Sequence, residues 1–224
     1  MHTTNDIDDA PTRILVTGFV STETGINASD VVVRSLMNDL PSALTDAKHC
    51  LHFRLLDANT HDLRDKLEAL LHEVCPAECV FVGQAPGRNN ITLERTATNL
   101  RFIGPPLSAG AMPQSDVILA NGPEACMASL LHMDAMVEKL VEAGIPAAMS
   151  DNAGNNLCNQ ILYEGIQYAN NHAGQPRCGF VHIPALPQQI IARWPNYPFM
   201  PLDMIREAMA IILFELVRET KPSK

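Results

Sequence analysis

The stretch that decides the fold is RILVTGF, Arg13–Phe19, an apolar run that contains β-branched residues and ends at a glycine and a phenylalanine. A short apolar run followed by a turn is typical of a buried strand. Directly after it, residues 27–41 (NASDVVVRSLMNDLP) combine capping residues, apolar residues at helical spacing and a closing proline, so they predict a helix. A buried strand followed by a helix is the repeating unit of α/β proteins.

The same alternation continues along the chain. Further strands are predicted at 50–58, 78–85, 147–154 and 177–187. Helices are predicted at 61–76, at 123–146, from Cys158 onward, and at 204–220. Short strands that are apolar on both sides are typical of a sheet covered by helices on both faces. We therefore expect an α/β fold, a single-domain α/β/α sandwich with a mixed, mostly parallel sheet over 13–224, after a disordered acidic lead-in at 1–12.

Composition and charge limit the partners. The net charge is −9, whereas nucleic acids and anionic membranes demand clustered Lys and Arg, so neither is expected as a partner. The N-terminal residues lack the basic and apolar regions of a secretory signal. No apolar run approaches the roughly 20 residues of a membrane span. These patterns predict a cytoplasmic protein with six reduced cysteines.

Cys158 is the first candidate for chemistry. It follows the small, polar, glycine-containing turn at 150–157 and begins a helical pattern. A thiol at a helix N-terminus feels the positive end of the helix dipole, which favours the reactive thiolate. The backbone N–H groups there could also hold an oxyanion. The local sequence leaves open whether Cys158 is a nucleophile or a packing residue, and the other five cysteines are interpreted as small buried hydrophobes.

Two further residues could assist a thiol. His182 lies near the end of an apolar strand, where it is either a core histidine bonded to the backbone or a general base. Glu94 follows the third strand within a polar stretch. It either pairs with Arg88 or Arg95 on the surface or holds the imidazole in one tautomer. The residues alone leave both alternatives open for both side chains.

Three longer stretches carry a resemblance to a known family: FVGQAPGRNNITLERTATNL at 81–100, IPAAMSDNAGNNLCNQILYEG at 145–165 and CGFVHIPALPQQ at 178–189. Together with RILVTGF they resemble pyroglutamyl peptidase I, the pyrrolidone-carboxylate peptidases of peptidase family C15. The motifs GQAxGRxxITxER, SxxAGxxxCN and GFxHxPxLPxQ occur here in the family's order. The resemblance implies a cysteine peptidase, a homo-oligomer (a dimer or tetramer), that removes an N-terminal pyroglutamyl residue from peptides without a cofactor or metal.

The resemblance also implies a set of site residues. The catalytic triad falls on Glu94, Cys158 and His182. The positions expected to bind the substrate are Phe19, Thr22, Gln84, Asn156 and Leu157.

This chain departs from the family pattern at three of its positions. Thr22 and Asn156 stand where the family has aromatic residues that enclose the pyrrolidone ring, and Gly104 stands where it has an arginine near the oxyanion. Arg101 is the nearest arginine that could replace it. The pocket is therefore expected to be more polar than is usual in the family.

Other functions stay open alongside the peptidase. A cysteine amidohydrolase could use the same triad on another small polar amide, with Asn155 beside Thr22 and Asn156 in its pocket. A catalytically weak binding homologue could keep the fold without the reaction. A relative of the purine phosphorylases would need a phosphate site with clustered arginines, and the sequence offers no such cluster beyond Arg88.

Overall fold

The computed structural model describes residues 12–22, 25–57, 59–104, 114–130, 132–172, 176–193 and 195–219. The predicted lead-in at 1–12 lies outside this part of the chain, apart from Thr12. The strands are β1 (Ile14–Phe19), β2 (Leu51–Leu56), β3 (Glu78–Gln84), β4 (Ile91–Glu94), β5 (Thr96–Thr98), β6 (Arg101–Gly104), β7 (Gln114–Asp116), β8 (Ala125–Met127), β9 (Ala147–Ser150) and β10 (Arg177–Ile183). The α-helices are α1 (Ala28–Asn38), α2 (Leu63–Val74), α3 (Met133–Glu142), α4 (Leu157–Asn171), α5 (Pro187–Ala192) and α6 (Leu202–Glu219), with a 3₁₀ helix at Ser42–Cys50.

Six strands form the central sheet, in the order β2-β1-β3-β10-β4-β9. Every neighbouring pair in it is parallel except β10 and β4, which run antiparallel. This confirms the predicted mixed, mostly parallel sheet. The single antiparallel pairing also sets the site, because it brings the end of β4 beside the middle of β10.

Helices cover both faces of the sheet, as predicted. Strand β3 shows the division, since Val80 and Val82 belong to one apolar cluster and Cys79 and Phe81 to another. The first cluster packs under α1, α3 and α6, and the second under α2 and α4. The α/β/α sandwich is therefore confirmed, with one core on each side of the sheet.

The prediction of one helix over 123–146 is wrong in its first half. Ala125–Met127 forms β8, which pairs antiparallel with β5, and the helix begins only at Met133. The following backbone N–H groups of Ser129 and Leu130 donate to the carbonyl of Cys178 in β10. Residues 125–127 follow a helical pattern of apolar residues, but their pairing with β5 overrides the local helix propensity.

The structure also bears on the predictions for the buried cysteines and for a membrane span. Cys75 caps the C-terminus of α2 with a left-handed backbone conformation and is exposed. It is therefore not one of the buried packing cysteines that the sequence predicted. Among the described residues, no helix is both long and apolar enough to cross a membrane.

Candidate active site

His182 and Glu94 meet on the face of the sheet that α4 covers. The antiparallel register of β10 and β4 sets Phe180 opposite Glu94 and His182 opposite Thr92, which brings all four side chains to one face. His182 Nδ1 lies 2.8 Å from Glu94 Oε1. Glu94 is fully buried and His182 is 4% exposed. The hydrogen bond to a carboxylate assigns the proton to Nδ1 and leaves Nε2 as the acceptor.

Glu94 has partners beyond His182. The guanidinium of Arg88 donates to Glu94 and to Thr92, and the Thr92 hydroxyl lies 2.9 Å from the same carboxylate oxygen. Burial acts to raise the pKa of Glu94, but hydrogen bonds from His182, Ser150 and Arg88 outweigh it and hold the pKa below its usual value. A surface pair between Glu94 and Arg95 is excluded, because Arg95 binds the exposed Asp151 instead.

His182 is held as a neutral imidazole. Its burial lowers its pKa, and the charge of Arg88 adds to that effect, while the hydrogen bond to Glu94 opposes both. Phe180 packs against the ring with centroids 4.6 Å apart. A neutral imidazole with Nδ1–H fixed by a carboxylate is competent to accept a proton at Nε2.

Gly83 makes room for Cys158 beside the histidine. A Cβ atom on Gly83 would lie 2.9 Å from the Cys158 sulfur and 2.5 Å from the Phe180 ring, so no side chain fits there. Gly83 is paired with His182 across β3 and β10. Adjacent strands lie about 4.8 Å apart, so the sulfur packs over the strand next to His182, on the face of the sheet that carries the imidazole. The structure thus brings Cys158, His182 and Glu94 to one place.

Burial favours the thiol form of Cys158 over the thiolate. It is the second residue of α4, as predicted, and is partly accessible. Desolvation of the sulfur raises the pKa of the thiol to about 12, against the lowering effects of its own backbone N–H and of Arg88. The helix N-terminus does favour the thiolate, as expected, but burial of the sulfur and the charge of Glu94 outweigh it.

The positions expected to bind the substrate ring begin at the ends of β1 and β3. Phe19 is buried at the end of β1, and the β1–β3 register carries it to the level of Gly83. Gln84 follows Gly83 and is partly buried. Its side-chain oxygen, Oε1, accepts hydrogen bonds from the backbone N–H of Ala28 and from Gln189 Nε2, both at 2.7 Å. Two donors fill both lone pairs of that oxygen, so the Gln84 amide can address a ligand only as a donor.

The remaining pocket positions are more open. Thr22 is exposed in a turn closed by backbone hydrogen bonds to Gly25. Asn156 is exposed and caps α4 by accepting from the Leu157 N–H at 3.0 Å, and Leu157 itself is half-buried. Neither Thr22 nor Asn156 supplies an aromatic wall.

Arg101 does not take over the place of the family's arginine. It donates to the carbonyl of Thr60 at 2.9 Å and lies 3.5 Å from Asp116. Gly104 ends β6, whose edge approaches the nucleophile turn through the Phe102 N–H and the Asn155 carbonyl. The contacts of Arg101 thus anchor the β6–β7 hairpin.

Three residues at the site were not singled out as functional from the sequence. Asn159 is buried and binds the backbone of Thr98 and Leu100, which fixes the start of α4. Arg88 links Glu94 to the nucleophile turn through the carbonyl of Asn152 at 2.8 Å. Gln189 is the third. Each of the three residues is a specified position in one of the motifs quoted above. Those motifs could therefore have identified them from the sequence.

Comparison with known proteins agrees with this geometry. The family model for pyroglutamyl peptidase matches residues 12–219. The chain belongs to the pyroglutamyl peptidase family. The pyrrolidone-carboxylate peptidase of Chromobacterium violaceum is 37% identical over 192 residues, which cover 85% of each chain. That of Thermosipho africanus is 31% identical over 212 residues, which cover 92% of this chain and 98% of the relative.

Solved structures of the pyroglutamyl peptidase family share the fold. Pyroglutamyl peptidase I of Bacillus amyloliquefaciens superposes with a TM-score of 0.78 at 28% identity, over 94% of this chain and 98% of the other. Pyrrolidone carboxyl peptidase of Pyrococcus furiosus gives a TM-score of 0.78 at 28% identity, over 94% of this chain and all of the other. The predicted resemblance is confirmed. Among the described residues, no group of three His, Cys, Asp or Glu side chains is arranged to hold a metal.

Proposed function

We propose that this protein is a cysteine peptidase that removes an N-terminal pyroglutamyl residue from peptides, with Cys158 as nucleophile, His182 as base and Glu94 as the acid that orients it. The observation that carries the proposal is the buried pair of His182 Nδ1 and Glu94 Oε1 at 2.8 Å, one strand away from the glycine that faces the Cys158 sulfur. Family membership supports the same reaction.

The raised pKa of Cys158 and the lowered pKa of His182 decide how the thiol is activated. The neutral imidazole takes the thiol proton at Nε2 while the sulfur attacks the pyroglutamyl carbonyl carbon. Glu94, held ionised by its hydrogen bonds to His182, Ser150 and Arg88, stabilises the imidazolium that forms. The backbone N–H of Cys158, in the first turn of α4, stabilises the oxyanion in this proposal.

The imidazolium then returns the proton to the departing amine, and the carbon–nitrogen bond breaks. The acyl group remains on sulfur as a thioester. Water, deprotonated by His182, attacks that thioester, which releases pyroglutamate and restores the thiol of Cys158. One proton carrier therefore serves both half-reactions.

A covalent probe tests this proposal. Incubation with a pyroglutamyl chloromethyl ketone is expected to alkylate Cys158, to be located by peptide mass spectrometry. Cys158→Ala should lower the hydrolysis of pyroglutamyl-aminomethylcoumarin by at least about 10⁴-fold, as loss of a nucleophile does in other triad enzymes. Cys126→Ala, a change of a partly buried cysteine on β8, is the matched control. Adduct formation on another cysteine, or activity that survives in Cys158→Ala, would contradict the proposal.

The polar residues Thr22 and Asn156 favour one second candidate, a cysteine amidohydrolase that acts on another small polar amide. A panel of lactam and aminoacyl coumarin amides separates the two, with Cys158→Ala as the blank. The peptidase proposal requires the pyroglutamyl amide to rank among the best substrates. A polar aminoacyl amide cleaved faster would favour the amidohydrolase, and no turnover of any amide would favour the weak binding homologue.

A homo-oligomer and a cytoplasmic location belong to the same proposal. Exposed apolar residues such as Phe199 and Phe214, 52% and 38% exposed, support association of subunits. Light scattering coupled to size-exclusion chromatography is expected to give a dimer or tetramer, and a monomer would contradict this part of the proposal.

A further inference from the structure

A buried glutamine next to the candidate site, Gln189, has no role in the reaction described above. It lies in α5 and is only 4% exposed. Its carbonyl oxygen accepts from the Leu186 backbone N–H at 2.7 Å. Its amide nitrogen donates to the Ile26 carbonyl at 2.8 Å and to Gln84 Oε1 at 2.7 Å. Because the Leu186 N–H can only donate, the Gln189 amide is locked in this orientation.

This lock extends to Gln84. The Gln84 oxygen receives the Gln189 amide on one side and the N–H of Ala28, the first residue of α1, on the other. If the Gln84 amide were reversed, its NH₂ group would face the Ala28 N–H and the Gln189 NH₂, which are both donors. The orientation of the Gln84 amide is therefore fixed as well. Its NH₂ group makes no hydrogen bond to any other described residue and is not fully buried.

We infer that Gln189 is a positioning residue for substrate specificity: it orients the Gln84 amide so that the pocket offers a hydrogen-bond donor and accepts ring substrates that present a carbonyl oxygen. The inference rests on the proposed function, because it assigns the ring of the substrate to the neighbourhood of Gln84. Gln189 does not contact the ring itself. It acts through Gln84 and at the same time joins the 26–28 segment to α5.

Two substitutions of similar size test this role in different ways. Gln189→Met removes one of the two donors to the Gln84 oxygen and leaves only the Ala28 N–H to orient the amide. Gln189→Glu keeps the acceptor for Leu186 but sets a carboxylate oxygen against Gln84 Oε1, which forces Gln84 to reverse or to withdraw. The neighbouring Gln188 is exposed, so Gln188→Met and Gln188→Glu are matched controls.

The binding readout is protection of Cys158 from iodoacetamide by 2-pyrrolidone, a ring with a lactam carbonyl, followed by mass spectrometry. Loss of one oriented hydrogen bond is worth about a tenfold change in affinity, so Gln189→Met should need about 10-fold more lactam for half-protection. Gln189→Glu should need more still, and both Gln188 variants should match the wild type. The alkylation rate without lactam should stay unchanged in all four variants, which shows that the Cys158 site is intact.

Turnover gives the second readout. For pyroglutamyl-aminomethylcoumarin, Gln189→Met should raise KM by about 10-fold and change kcat less, because only ring binding is affected. Half-protection in Gln189→Met at the wild-type lactam concentration would overturn the inference. So would an unliganded alkylation rate that falls along with protection, since that indicates a general structural role. If the wild type cleaves no pyroglutamyl amide, the proposed function fails, while lactam protection still decides the role of Gln189.

Discussion

The two sides of the candidate site are built differently. On the acid side, Glu94, His182 and Thr92 are buried on two paired strands, and the partly buried Arg88 hydrogen-bonds to Glu94 and Thr92 from the loop before β4. On the ring side, Thr22 and Asn156 lie exposed in turns. Strands hold side chains more rigidly than turns do, and loops tolerate substitution. The contrast indicates that the proton-transfer machinery is fixed by the sheet, whereas the walls around the substrate are free to vary.

The largest expected effect comes from the acid side. Glu94→Gln should lower kcat by about 1000- to 10,000-fold, as loss of the orienting carboxylate does in other triads, because the amide no longer fixes the Nδ1–H tautomer or stabilises the imidazolium. Steady-state hydrolysis of pyroglutamyl-aminomethylcoumarin measures this effect. Asp151→Asn, at an exposed carboxylate paired with Arg95, is the control and should remain active. A loss below tenfold in Glu94→Gln would mean that the buried pair is structural only.

Arg88→Gln should have an intermediate effect, a fall in kcat/KM of about 10- to 100-fold. Arg88 lowers the pKa of His182, so its removal raises that pKa and leaves more His182 protonated at acidic pH. The base must be neutral, and the acid limb of the kcat/KM profile should therefore move to higher pH. The loss should be greater near pH 6 than near pH 8.

Arg95→Gln provides the comparison for Arg88, because Arg95 is the next arginine along the motif and binds only at the surface. Its pH profile should overlay that of the wild type. An acid limb that stays in place in Arg88→Gln, or moves to lower pH, would refute the assigned electrostatic effect.

Substitutions on the ring side should have smaller effects, and they should improve substrate binding rather than impair the reaction. Thr22→Phe restores an aromatic residue at a position where the family has one, and an aromatic contact is worth about 0.5–1.5 kcal/mol. The KM for pyroglutamyl-aminomethylcoumarin should fall by about 2- to 10-fold, with kcat little changed. Thr45→Phe, at an exposed threonine in the 3₁₀ helix, is the control. A KM that rises in Thr22→Phe would indicate a pocket adapted to a more polar ring.

Asn156→Phe makes the same test at the second position, with one complication. Asn156 caps α4, and loss of such a cap costs about 1 kcal/mol of stability. A thermal melt should therefore accompany the kinetics. A lower KM together with a lower Tm is the expected result, and an unchanged Tm would show that the cap contributes little.

Much of the fold was predictable from residues in sequence order. The alternation of apolar strands with amphipathic helices predicted the layers, because burial of both sheet faces leaves a local signature. The helix expected over 123–146 failed because Ala125–Met127 pairs with β5, and nothing local signals that partner. Antiparallel insertion of β4 beside β10 was equally invisible, since it depends on contacts between distant segments.

The site was predictable in its residue types and less so in its electrostatics. The resemblance to the family implied Glu94, Cys158 and His182, and the structure sets all three on one face of the sheet. The pKa of Cys158 could not be anticipated, because it depends on how closely Gly83 and Phe180 approach the sulfur. The Gln189–Gln84 lock was hidden for the same reason: a hydrogen bond between distant segments has no local pattern.

The antiparallel β4 makes activity sensitive to strand alignment. A slip of two residues along β10 would keep Ile91 and Leu93 on their apolar face, so burial alone penalises it little. In the direction that sets Thr92 opposite Phe180, the slip would leave a hydroxyl where Glu94 now holds its carboxylate. A misaligned molecule would then be compact yet inert. The specific activity of refolded material therefore reports the fraction of chains whose β4 has found its proper alignment, which a melting curve alone does not reveal.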